Sequence, residues 1–320
     1  MIRRPPRSTQ GVSSAASDVY KRQSYMMVNT VAIMSPGDMG HAVGQVLSES
    51  GIDVITCTDG RSQRTKNLAE MAGLRQVATL EDMVIQADLV LSIMVPSKAM
   101  SFVREISPHF ESSKTPTYFA DCNAVSPQSA LAMAEVINQA GGKFIDGGII
   151  GTAPTKGDTP RFYVSGPDAS VVMELDGRGI IVKAIGNKVG QASGIKMCYA
   201  ALTKGTNTLH VALLTAASRM GLTDDLRKEF EFSQKSHLAA MEKGISRLPA
   251  NAHRWIGEME EIAATFENLG VTPNFHKGAA EIYKMLNSTP FAKESPETID
   301  KDRTTWDTIE AVSKIADSDG

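Results

Sequence analysis

Thr30-Val31-Ala32-Ile33-Met34-Ser35-Pro36-Gly37-Asp38-Met39-Gly40 decides the fold. Its first five residues are a short β-favouring apolar run, and turn residues follow at once. A helical pattern then carries Val43, Val46 and Leu47 to Gly51. Ile52-Asp53-Val54-Ile55-Thr56-Cys57-Thr58 forms a second strand, which closes on Asp59-Gly60-Arg61-Ser62. A strand, a glycine turn, a helix and a strand within about thirty residues is the βαβ unit that a dinucleotide requires. Gly37 lets the backbone approach a pyrophosphate, and Gly40 lets the helix pack close to the strand. The free N–H groups and positive dipole end of the helix attract the phosphates. Ser35 stands at the first glycine position, where Pro36 biases it toward extended geometry. Ser35, Pro36, Gly37, Asp38, Met39 and Gly40 are thus the candidate cofactor loop.

The second strand bears on the choice of cofactor. An acidic residue there holds the ribose 2′-OH of NAD, whereas arginine accommodates the 2′-phosphate of NADP. Asp59 is followed by Arg61, Ser62, Arg64 and Thr65, two cations and two hydroxyls within five residues. Arg61, Ser62 and Arg64 therefore form a candidate phosphate cradle, and NADP is the expected cofactor. NAD stays possible if Asp59 faces the ribose. A plain turn with solvated arginines is the bland alternative.

Outward from this unit the alternation continues. Strands are predicted at 87–94, 117–121 and 143–146, with helical segments between, which implies a mainly parallel, doubly wound sheet. Ligands of such sheets sit beyond the carboxyl ends of the strands. Those ends are Val95-Pro96, Asp121-Cys122-Asn123 and Asp146-Gly147-Gly148. From Gln191 the character changes. Residues 191–220 contain no proline, and Gly221 suits a helix end, so one helix of roughly 28 residues is predicted. Its apolar residues Ile195, Tyr199, Leu202, Leu209, Val211, Leu213 and Leu214 surround much of the circumference, as in a helix buried on several sides or against a second chain. Further helices are predicted at 225–243, 252–269, 275–286 and 304–315. The expected organisation is a nucleotide-binding Rossmann domain over 26–187 and an all-helical domain over 188–320, for substrate and dimerisation.

Composition narrows the function. The 320 residues are 42% hydrophobic and 22% charged, with a net charge of −3. That suits a packed soluble fold and argues against general nucleic-acid binding. No apolar run approaches the ~20 residues of a membrane helix. Cys57, Cys122 and Cys198 lie far apart without a CxxC spacing, so neither a disulfide framework nor a metal site is expected, and a reducing, cytoplasmic setting fits. Residues 1–23 stand apart, with five basic residues and one acidic, two adjacent prolines and no apolar period. Composition alone would allow a disordered tail or a transit peptide. The stretch resembles translated sequencing adapter, which would put the true start at Met26 or Met27 and make residues 1–25 dispensable.

Several segments together resemble the β-hydroxyacid dehydrogenase superfamily, which includes 3-hydroxyisobutyrate dehydrogenases and the NADP-binding half of 6-phosphogluconate dehydrogenase. Residues 31–40 are similar to its GxGxMG loop. Asp121-Cys122-Asn123-Ala124-Val125-Ser126-Pro127 is similar to its D-x-S-T-x-x-P substrate motif, with Asn123 in the serine position. Residues 146–151 occupy its second substrate segment, and Gly190 to Lys196 resembles the G-x-x-x-x-x-K catalytic segment. Residues 196–205 and 253–261 resemble an uncharacterised phosphogluconate-dehydrogenase-like subgroup. The resemblance implies that Lys196 is the general acid/base for hydride exchange between NADP and a small hydroxy acid or its keto form. It implies that Asn123, Gly147 and Gly148 bind the substrate and that Val95 and Pro96 flank the nicotinamide. Two departures stand out. Ala200 replaces an asparagine one turn after the lysine, and the lysine–aspartate pair of the 3-hydroxyisobutyrate enzymes is replaced around Glu258 to Glu261. His253 and Arg254 are candidate replacements, Arg254 for a carboxylate. Read from periodicity alone, Lys196 and Lys204 could each be surface lysines. Two other readings are an imine or enamine reductase, which Lys196 counts against, and a silent NADP-binding protein.

Overall fold

The computed structural model describes residues 28–113, 116–154, 157–295 and 297–315. The tail 1–25 lies outside the described residues. The first half alternates strand and helix: β1 (Thr30–Met34), α1 (Gly40–Glu49), β2 (Asp53–Thr56), α2 (Gln63–Met71), β3 (Arg75–Gln76), α3 (Leu80–Gln86), β4 (Leu89–Ser92), α4 (Pro96–Ile106), β5 (Tyr118–Asp121), α5 (Pro127–Gln139) and β6 (Lys143–Ile150). Then come β7 (Arg161–Ser165), a short α6 (Ser170–Met173) and β8 (Ile181–Gly186). The eight strands form one sheet in the order β3-β2-β1-β4-β5-β6-β7-β8. Every described pairing is parallel except β6 with β7. The connection between those two is too short to cross the sheet, so the chain reverses.

The central strands β1, β4 and β5 are almost entirely buried because both faces of the sheet are covered there. Val31, Ile33, Leu89, Leu91, Ala120 and Ile145 enter one core, whereas Ala32, Met34, Val90, Phe119 and Phe144 enter the other. This is the period-2 alternation of a strand. Three strands, β3, β7 and β8, are absent from the sequence expectation. Both residues of β3 are exposed, and it has no apolar run, so pairing with β2 holds it extended. β7 and β8 carry only short apolar stretches, Phe162 with Val164 and Ile181 with Val182, and β8 is buried at Val182 alone.

The second half is helical: α7 (Gln191–Arg219), α8 (Thr223–Ser233), α9 (Lys235–Gly244), α10 (Pro249–Asn268), α11 (Asn274–Asn287) and α12 (Thr305–Ser313). A third core of Met197, Val211, Leu214, Met259, Ile262 and Tyr283 binds these helices together. The single helix expected over 225–243 is two, because Gln234 leaves helical geometry at φ −135° and ψ 42°. The 29-residue α7 is buried at Val211 and Leu214 but exposes Ile195, Tyr199, Leu202 and Leu209.

One carboxylate joins the two halves. Gly190 precedes α7 with φ 101°, a backbone that glycine adopts without strain, and it brings no side chain to cap the helix. Asp146 at the centre of β6 does so from 44 residues away. Its Oδ2 accepts from the N–H groups of Gly190, Ala192 and Ser193 at 2.8, 2.9 and 3.1 Å, and from Ser165 Oγ at 2.8 Å. Its Oδ1 accepts from Ser193 Oγ. The negative charge also meets the positive end of the helix dipole. Asp146→Asn keeps the volume but turns an NH2 group toward N–H donors. It should lower stability by about 2–4 kcal/mol. Urea unfolding measures this, and a loss below about 0.5 kcal/mol would contradict the docking role.

Candidate active site

The glycine loop lies where β1 gives way to α1, beside β4, at the point where strand order reverses. Ser35 N donates to Ile93 O at 3.1 Å, which sets the loop against the segment leading to Val95 and Pro96. A Cβ on Gly40 would lie 2.2 Å from Ser35 O, so only glycine permits this closeness. A Cβ on Gly37 would meet nothing within 4 Å, so the backbone faces open space there. Met39 at the start of α1 provides no side-chain cap. The N–H groups of Asp38, Met39 and Gly40 have no acceptor among the described residues. Uncapped donors around an open glycine backbone suit the pyrophosphate of a dinucleotide.

Charged side chains from three elements meet on Asp38. Arg64 Nη2 donates to Asp38 Oδ1 at 2.5 Å and to Glu297 Oε1 at 2.6 Å. Arg254 Nη1 reaches Asp38 Oδ2 at 3.4 Å. Arg254 thus bridges α10 to the glycine loop. Bonds from Ser295 and Arg64 hold the Glu297 carboxyl down at about 2. Ser62 caps α2, accepting from Thr65 N at 3.2 Å. Asp59 turns back onto Gly60 N at 3.0 Å. Arg61 is half-buried in the same turn.

Beyond β5 and β6 the expected substrate residues are packed into the protein. Asn123 is buried, with Nδ2 donating to Asp121 Oδ1 at 2.6 Å and Ser92 Oγ at 2.9 Å. Its Oδ1 accepts from Met94 N at 2.6 Å. These bonds tie the carboxyl ends of β4 and β5 together. Burial lifts the adjacent Asp121 carboxyl to about 7, against the lowering effect of its bonds from Asn123. Gly147 and Gly148 serve close approach. A Cβ on Gly147 would lie 2.7 Å from Asp121 O, and one on Gly148 would lie 2.8 Å from Lys196 Cβ.

Lys196 stands directly over Gly148. Its Nζ donates to Ile149 O at 2.9 Å, and its side chain is 16% exposed. Glu258 Oε1 lies 3.9 Å from Lys196 Nζ and 2.8 Å from Lys204 Nζ. Lys204 is therefore mostly buried and ion-paired, not a surface lysine. Burial pulls the Lys196 ammonium down to about 8; Glu258 acts to hold the proton, and Lys204 acts against it. Glu261 from the same helix accepts from Ser126 N at 2.6 Å and Ser129 Oγ at 2.9 Å, which docks α10 on the start of α5.

The comparisons agree with this architecture. Residues 30–190, half of the chain, match the family described as the NAD binding domain of 6-phosphogluconate dehydrogenase, and the chain belongs to that family. Residues 217–286 match a domain of unknown function, DUF1932. An uncharacterized 28.5 kDa protein of Methanothermus fervidus, from the 5′ region of 7S RNA, is 28% identical over 195 residues, 61% of this chain and 73% of that protein. A conserved protein of unknown function, reported as structurally similar to 3-hydroxyacid dehydrogenases, superposes with a TM-score of 0.59 at 28% identity, covering 80% of this chain and 96% of its own. The 3-hydroxyisobutyrate dehydrogenase of Mycobacterium tuberculosis with L-serine shares the fold, with a TM-score of 0.61 at 17% identity, covering 81% and 93%.

A buried lysine has a thermodynamic signature. The folded chain holds the Lys196 proton less tightly than the unfolded chain, whose lysine keeps the ordinary value of 10.5. Burial of the charge is thus a cost present below about pH 8, and it fades as pH rises from there toward 10.5. Lys196→Met should stabilise the protein at pH 7 by up to about 3 kcal/mol, with the gain shrinking above pH 8. Thermal unfolding across that range checks it, and a variant less stable at pH 7 would contradict it.

Proposed function

We propose that this protein is an NAD(P)-dependent oxidoreductase, NADP-linked, that moves hydride to or from a small hydroxy acid or its keto form. The observation that carries the reading is Lys196. It is a buried amine held over the end of β6 by Ile149 O, on a helix that leads away from a dinucleotide-binding sheet. A nicotinamide ring bound at the glycine loop supplies the hydride or accepts it. Lys196 binds the substrate oxygen by hydrogen bond. It takes the hydroxyl proton during oxidation and returns one during reduction. An amine near 8 does both at neutral pH, which an ordinary lysine at 10.5 does poorly. Gly148 supports this by letting the stem of Lys196 lie against the strand. Ser35 to Gly40 hold the pyrophosphate, and Val95 and Pro96 flank the nicotinamide.

The NADP preference rests on Arg61, Ser62 and Arg64. Arg61 carries most of it, since Ser62 caps α2 and Arg64 would exchange Glu297 for the phosphate while it stays on Asp38. Homodimerisation rests on α7. Ile195, Tyr199, Leu202 and Leu209 form an exposed apolar row at helical spacing.

A panel of small hydroxy and keto acids, followed by NADP reduction and NADPH oxidation, tests the activity. Turnover is expected with NADPH over NADH. Lys196→Ala should lower kcat by about 10²–10⁴-fold while cofactor affinity holds. Full activity in that variant would remove the acid/base role, and NADPH binding without turnover of any acid would favour a silent binding protein. Light scattering should report twice the monomer mass, and a monomer would contradict the dimer.

A further inference from the structure

The arrangement around Lys196 holds two groups that hydride chemistry leaves without a role. Lys196 and Lys204 lie two turns apart on α7, with the fully buried Ala200 midway. Residues four apart share a helix face, and a methyl group leaves that face clear between the lysines. Glu258 enters from α10, with its side chain 8% exposed. Both amines converge on one of its oxygens, but unequally, at 2.8 Å from Lys204 and 3.9 Å from Lys196. Lys204 is also fixed on other sides. Its amine lies 5.7 Å from the Trp255 ring centroid, and Tyr283 Oη donates to its carbonyl at 3.3 Å. Trp255 and Tyr283 pack edge to face with centroids 5.4 Å apart, so the wall behind Lys204 is rigid.

Charge counting gives this geometry a consequence. A buried carboxylate facing a single ammonium holds that proton firmly, since ion pairing in a low dielectric strengthens as distance shortens. A lysine so held cannot serve as a base. We infer that Lys204 is a positioning residue of the proposed site: it takes Glu258 as its own ion-pair partner and so leaves the Lys196 ammonium steadied but not captured. This rests on the acid/base reading of Lys196. The second lysine supplies what the missing asparagine at Ala200 cannot, a fixed polar group on the same helix face. The groups facing Glu258 are Lys196 and Lys204 from α7 and Tyr283 from α11. Burial and Glu258 push the Tyr283 phenol well above its ordinary range, so it remains neutral while Lys196 titrates.

The inference makes two substitutions move one titration in opposite directions. The readout is the 13Cε shift of Lys196 in lysine-labelled full-length protein, assigned by its absence from Lys196→Met and followed against pH. It needs neither substrate nor turnover, so an unsuccessful substrate panel leaves it standing. Lys204→Met hands Glu258 to Lys196, and the Lys196 midpoint should rise by about one pH unit or more. Lys204→Gln gives the same test with a polar side chain should the methionine variant fail to fold. Glu258→Gln removes the carboxylate that favours the proton, and the midpoint should fall below that of the parent. Lys204→Arg keeps the charge and should restore the parent value to within a few tenths. A rise in both Lys204→Met (or Gln) and Glu258→Gln, a fall in both, or no movement in either would overturn the inference, since a purely structural role has no reason to give opposite signs.

Discussion

The carboxylate of Asp146 is the constraint on which the arrangement depends. It sits inside the sheet yet is bonded mainly to a helix that starts 44 residues later. A helix that begins in a protein interior leaves N–H groups that no water can reach. Asp146 accepts three of them, along with two serine hydroxyls, and its charge matches the helix dipole. The start of α7 therefore cannot slide along or tilt away from β6 without exposing a buried carboxylate and several donors at once. Lys196 lies within the first two turns beyond that anchor. The accuracy with which its amine is held over Gly148 follows from the anchor and from the missing side chain of Gly148 beneath its stem.

A second joint, of a different character, connects the helical half to the glycine loop. Asp38 lies between Arg64 and Arg254, and Arg64 also holds Glu297 from near the C-terminus. These side chains are between a third and three-fifths exposed. Each pair alone is worth little in water, and the network is sensitive to salt. Its meaning is electrostatic. A carboxylate inside the glycine loop would repel a phosphate unless it were neutralised, and two arginines pair with it here. The buried, dry contacts of Asp146 set the geometry, while the wet ion pairs around Asp38 set the charge at the glycine loop.

Legibility followed the range of the interactions. The βαβ unit was readable because its cause is local: an apolar run, glycines at a turn, then a helical period. The long helix was readable from the absence of proline and the glycine beyond it, whereas Lys196 was singled out only by the family resemblance, since helix periodicity does not tell a buried lysine from a surface one. Strand β3 was not, since its extended form comes from a neighbouring strand and not from its own side chains, and β7 and β8 carry apolar stretches too short to stand out. The break at Gln234 had no local signal. Asp146 stood in view as part of a substrate segment, but its partners around Gly190 lie far along the chain. Glu258 and Lys204 are 54 residues apart, and no periodicity in either helix announces that they meet. The motif position of Asn123 was in view, but the bonds of its amide to Ser92, Met94 and Asp121 were not, since those residues come together only in the folded sheet.

The central claim is that Asp146 and α7 deliver the Lys196 amine to the place where a nicotinamide exchanges hydride. A crystal structure of the protein with bound NADP measures this most directly. The account predicts pyrophosphate oxygens on the N–H groups around Gly37 to Gly40, and a nicotinamide ring whose reactive face opens toward Lys196 with room for one small acid between them. A nicotinamide turned away from Lys196, with that amine facing solvent on the far side of α7, would contradict it.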